Sequence, residues 1–141
     1  MSGINTGKVI VGGLVAGLVY NVLDMVNGML IMAADFKANA ERLHLDPAAA
    51  ESTTSMATWI VIDFLMGILV VWTYAAMRPR FGPGPRTAVY AALALYFAIN
   101  LVMFGLTQGG MITMAIFVKM AIIQFVITIA GAVAGASVYK E

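Results

Sequence analysis

Four long apolar runs decide most of what this chain can become. Val9 to Ala34, Met56 to Met77, Thr87 to Leu106 and Ile112 to Val138 are each long enough to supply the roughly 20 mostly apolar residues that a helix needs to cross a bilayer. Between them they take up most of the 141 residues. A soluble globular fold is excluded by the same arithmetic. Apolar residues make up 62% of the chain and charged ones 11%, against about 45–50% and roughly 25% in soluble domains. Disorder is excluded as well, since it requires low hydrophobicity and high net charge. In lipid every backbone polar group must be satisfied within the protein, and a helix does so along its own length. The spacing therefore predicts an all-α membrane protein, one domain over residues 1–141, built as a four-transmembrane-helix bundle.

The connections set its orientation. Residues 35–55 are polar and helix-prone, and Asp46-Pro47 reads as an N-cap followed by proline in the first turn of a short helix. Short polar helices are expected in this first loop. Residues 78–86 form a Pro/Gly/Arg linker that cannot be helical throughout. Lys8, Arg78, Arg80, Arg86 and Lys140 flank one membrane side, while Lys37 and Arg42 on the other are offset by acidic neighbours. The positive-inside rule places both termini in the cytoplasm and makes residues 35–55 an outer loop. Arg78, Arg80 and Arg86 are expected to meet lipid headgroups, and Trp59 and Tyr139 to be interfacial anchors.

Charge then narrows the chemistry. A net charge of +1 gives no argument for a nucleic-acid partner. There is no cysteine, and the single histidine, His44, sits in a polar segment, so no metal site and no cofactor are expected. No phosphate-binding loop, H-E-x-x-H or G-x-S-x-G element occurs, and the chain does not read as an enzyme.

A few polar residues remain inside the spans. At 1.5 Å per residue, Asp24 lies ~24 Å along its helix from Lys8, with Asn21 one turn deeper. Asp63 is ~10 Å in from Met56, Lys119 is ~12 Å in from Met111, and Asn100 is ~21 Å from Arg86. Asn21, Asp24, Asp63, Asn100 and Lys119 thus converge in the outer half of the bilayer. Intramembrane charges usually face the bundle and pair. One reading is a Lys119 salt bridge to Asp63 or Asp24, forming a proton- or cation-responsive site. Another is a hydrogen-bonded cluster that fixes helix register, and a third has Lys119 reaching out to the headgroups. Helical spacing gives Trp59, Asp63, Gly67, Val70 and Tyr74 a common face, and Gln124, Thr128, Gly131 and Gly135 another. Gly13-x-x-x-Gly17 and Gly131-x-x-x-Gly135 are close-approach motifs. They are expected to bring spans one and four together, with a homo-oligomer or partner interface as the alternative.

The opening Ile4-Asn5-Thr6-Gly7-Lys8-Val9-Ile10-Val11-Gly12-Gly13-Leu14 and the linker Arg78-Pro79-Arg80-Phe81-Gly82-Pro83-Gly84-Pro85 carry a resemblance over most of the chain. It resembles small bacterial four-span integral membrane proteins to which no activity is assigned, which implies the bacterial inner membrane. In size and span count it is also similar to the small multidrug resistance transporters, which carry a membrane-embedded Glu in their first span. Asp24 is the counterpart here, but it lies near the outer end, and no site residue is carried over. Two functions are expected from these readings: an interaction or accessory protein, such as a subunit of a larger membrane complex, or a small oligomeric transporter using Asp24, Asp63 and Lys119.

Overall fold

The computed structural model describes residues 3–140. Helix α1 (Thr6–Val26) starts where the Asn5 side chain accepts from the Lys8 N–H, satisfying one of the donors that a helix start leaves open. It runs on into a π-helical turn, Asn27–Ile31. Two short helices follow, α2 (Ala33–Arg42) and α3 (Pro47–Ala50), the latter capped by Asp46 as its sequence predicts. Ser52 caps α4 (Thr53–Phe81) and Thr113 caps α6 (Met114–Val138); α5 (Pro85–Gln108) lies between them. No strand occurs among the described residues. Four helices, α1 with its π-turn, α4, α5 and α6, are long and apolar enough to cross a membrane.

The helices outrun the apolar runs that predict them. Helix α4 begins at Thr53 and continues through Pro79 to Phe81, and α5 begins at Pro85. The linker shrinks to Gly82-Pro83-Gly84, where Gly82 (φ 80°) and Gly84 (φ 122°) adopt the left-handed conformations that the tight reversal needs. Thr87 Oγ1 donates to the Gly82 carbonyl at 2.7 Å and the Gly84 N–H donates to Tyr74 Oη at 3.1 Å, which pins the turn to both helices.

Helix α1 packs on α4 and on α6, and α5 closes the bundle against α6 and α4. The glycines divide this work differently from the expectation. Gly13 and Gly17 face α4, not α6: a Cβ on Gly13 would lie 2.5 Å from Ile68 Cα, and one on Gly17 would lie 2.7 Å from Phe64 Cα. A Cβ on Gly67 would in turn strike the Gly13 carbonyl and the Gly17 backbone. Contact between α1 and α6 runs through the neighbouring face, where Gly12 opposes Gly135 and Gly131 lies under the Tyr20 ring. Gly12 was not singled out by the sequence because it follows no four-residue glycine spacing. The pairs on α1 and α6 are intramolecular contacts, but on different faces of α1.

The end of the bundle that gathers both ends of the described chain and the Gly82-Pro83-Gly84 turn is the most tightly built. It is called inner, and the opposite end outer, after the orientation that the positive-inside rule predicts. Tyr74 (3% exposed) and Tyr139 (2%) meet edge to face with ring centroids 6.0 Å apart. Tyr139 Oη accepts from the Asn5 N–H at 3.2 Å, so Tyr139 is core and not the expected interfacial anchor. The Arg78 guanidinium lies over both rings, 5.2 Å from Tyr139 and 5.9 Å from Tyr74. It is therefore half-buried among aromatic faces, where cation–π attraction holds it, instead of standing out among headgroups. Arg80 and Arg86 are exposed, and Arg86 stacks on Tyr90 while its Nε donates to Tyr90 Oη at 2.7 Å.

Candidate functional site: the polar residues of the outer half

Three helices contribute to the polar cluster. Gln124 of α6 donates from Nε2 to Asp24 Oδ1 of α1 at 2.5 Å. Asn21 donates to the Gly17 carbonyl on its own helix at 2.9 Å and to the Ile60 carbonyl of α4 at 3.3 Å. Tyr20 donates from its hydroxyl to the Thr128 carbonyl of α6 at 3.1 Å. Asp63 is half-buried beside this group, close enough for the charge of Asp24 to act on it and for its own to act on Tyr20. Gly17 makes this proximity achievable, since without a side chain it lets the α4 backbone come up at Asp63.

Asn21, Asp24 and Asp63 are thus brought together, and Lys119 is not among them. Its ammonium forms an ion pair with Asp35 Oδ2 at 2.5 Å and donates to the Ile31 carbonyl at 3.3 Å. Both side chains of that pair are partly exposed, so the expected Lys119 bridge to Asp24 or Asp63 gives way to a tie with the outer segment. Helix electrostatics favour this choice. Ile31 ends the first span, where a cation is stabilised, and Asp35 stands in the first turn of α2, where an anion is. Asn100 is apart as well, donating only to the Tyr96 carbonyl one turn back on α5, at 2.9 Å.

Several participants had no place in the expected cluster. Gln124 heads the small-polar stripe of span four, and that stripe does face α1; its amide was the available signal. Tyr96 donates to the Ala121 carbonyl at 2.9 Å, so tyrosines from α1 and α5 hold α6 from two sides. Asp35 and Asn39 lie in a loop whose course no hydropathy argument predicts. Asn39 donates to the Met111 carbonyl at 3.1 Å and Arg42 to the Gly110 carbonyl at 2.8 Å, which clamps α2 over the α5–α6 turn. Asn27 is buried, with no partner for its Oδ1 among the described residues.

Chemically, this arrangement binds helices to one another through polar groups within the span. Among the described residues no group of three acidic, histidine or cysteine side chains could hold a metal ion. No family model, curated protein or solved structure matches the chain. The fold and these bonds define a class, an all-α four-helix protein with membrane-crossing helices, and function has to be argued from the residues.

Proposed function

We propose that this protein is an integral-membrane interaction or accessory protein, a subunit of a larger membrane assembly, whose intramembrane polar residues hold its own helices in register. The observation that carries this reading is the destination of the polar groups. Asp24, Asn21, Tyr20, Tyr96 and Asn100 bond to helices of the bundle, and Lys119 bonds to the outer segment. A transport pathway needs ionisable groups free to exchange a ligand, and beside these bonded residues Asp63 alone of the intramembrane carboxylates and lysine is so disposed.

The proposed setting is the bacterial inner membrane with both termini cytoplasmic. Lys8, Arg78, Arg80, Arg86 and Lys140 at one end of the bundle support that orientation.

Purification from native membranes in mild detergent tests the reading, joined to reconstitution in liposomes. The expected result is co-purification with the same partner at fixed stoichiometry, with no proton-coupled or cation flux. Asp24→Asn should alter stability and Asp63→Asn assembly, with no effect of either on flux. Flux from the isolated chain that disappears in Asp63→Asn would replace this reading with the transporter.

A further inference from the structure

One face of α4 changes character along its length. Tyr74 (3% exposed), Val70 (1%) and Gly67 are buried against neighbouring helices. Continuing outward at helical spacing, the same face reaches Asp63, which is half-buried, and then Trp59, which is 62% exposed. No residue of Thr53–Ile62 is buried. Helix α5 does not supply the cover, because its buried residues, Thr87, Ala88, Ala91 and Ala92, all lie in its inner half. A core-facing stripe therefore emerges uncovered at the depth of Asp63.

Charge identifies what would cover it. The Asp63 carboxylate makes no hydrogen bond or ion pair with any described residue, and the charge that acts on it is that of Asp24, of the same sign. The one cation of the outer half-spans, Lys119, is held by Asp35. An ionised carboxylate facing hydrocarbon is costly, and membrane proteins resolve that cost by pairing. The matching surface is apolar, helical and positively charged at one point. A second copy of this chain is a poor complement, since it would bring two more carboxylates and a lysine already paired.

We propose that the outer half of α4 docks a transmembrane helix of a different protein that carries one Lys or Arg at the depth of Asp63, with its apolar side chains covering Trp59. This rests on the interaction-protein reading and names the chemistry of the partner.

The test uses the full chain in phosphatidylcholine vesicles, labelled at its outer end through Glu51→Cys, an exposed position next to the α4 cap, in a protein otherwise free of cysteine. The probes are two synthetic Leu/Ala transmembrane peptides, identical except that one has a single Arg about 10 Å below its outer end. Energy transfer should show the Arg peptide binding about tenfold more tightly than its Leu counterpart, the scale of one intramembrane polar pair. Asp63→Asn should abolish that preference, and Asp63→Glu should keep it. An unchanged thermal midpoint for Asp63→Asn separates lost docking from lost folding. Equal binding of the two peptides, or a preference that survives Asp63→Asn, overturns the proposal. So does self-association of the labelled chain that shields Trp59. Equal binding without ion flux removes only this occupant, whereas Asp63-dependent flux removes the interaction-protein reading as well.

Discussion

Lys119, in the second turn of α6, pairs with Asp35 across the outer end of the bundle, and the two are 84 residues apart in sequence. Together with the Lys119–Ile31 bond, this contact fixes how the first span hands over to α2. It makes α2 part of the bundle and not a loose loop helix. Because both side chains are partly exposed, its contribution to stability should be about 1 kcal/mol or less. Lys119→Met should leave the four spans folded and speed amide exchange in α2. High salt should do the same to the unmodified protein, by screening the pair. Exchanging the two residues, with Lys119→Asp and Asp35→Lys together, should restore the contact only in part, because each charge then opposes the helix end beside it.

The glycine contacts predict opposite outcomes for one chemical change. Gly67→Ala drives a methyl group into the backbone of α1, and no rotamer can relieve that. It should cost about 3 kcal/mol or more, at or beyond the usual upper range for overpacking. Gly105→Ala, in α5 with open space around its Cα, should stabilise by about 0.5–1 kcal/mol through helix propensity. Thermal melts of both variants in detergent read the difference directly.

Asp24 and Gln124 join α1 to α6 within the span. A double-mutant cycle using Asp24→Ala and Gln124→Ala should return a coupling of about 0.6 kcal/mol, with an upper limit near 1.7, as found for polar pairs between membrane helices. A coupling of zero in a reversible unfolding assay would mean that the bond contributes nothing to holding the helices.

The two tyrosine hydroxyls act on α6 independently. Their acceptors, the carbonyls of Thr128 and Ala121, are two turns or ~10 Å apart along the helix. Tyr20→Phe and Tyr96→Phe should each cost about 0.5–1.5 kcal/mol, and the double variant should equal the sum of the two. Unfolding free energies of the three variants decide it.

Run length made the four spans legible, because nothing but a membrane helix disposes of so many consecutive apolar residues. Their ends were less so, since Thr53 to Ser55 and Arg78 to Phe81 are polar or bulky but continue a helix already begun. The stripe Asp63, Gly67, Val70 and Tyr74 was visible from spacing alone and is a real face of α4. For Lys119 the spacing leaves open a bridge to Asp24 or Asp63, a register-fixing bond and an outward reach, and it does not report the Asp35 partner that the structure shows. Depth follows from rise per residue, but its partner lies beyond the π-helical turn at Asn27–Ile31, where the extra residue per turn breaks the regular phase. Arg78 was misplaced for a related reason. Its aromatic neighbour Tyr139 comes from the far end of the chain, and no local pattern reports that meeting.

Gly12, Gly13, Gly17, Gly67, Gly131 and Gly135 meet opposing helices with no side chain of their own. Every missense change that a single base can make in a glycine codon adds at least a β-carbon. These six codons therefore have no conservative neighbour in the genetic code. A library of random single-base changes should be depleted of variants at all six, while Gly105 and Gly28, whose surroundings are open, accept the uncharged replacements.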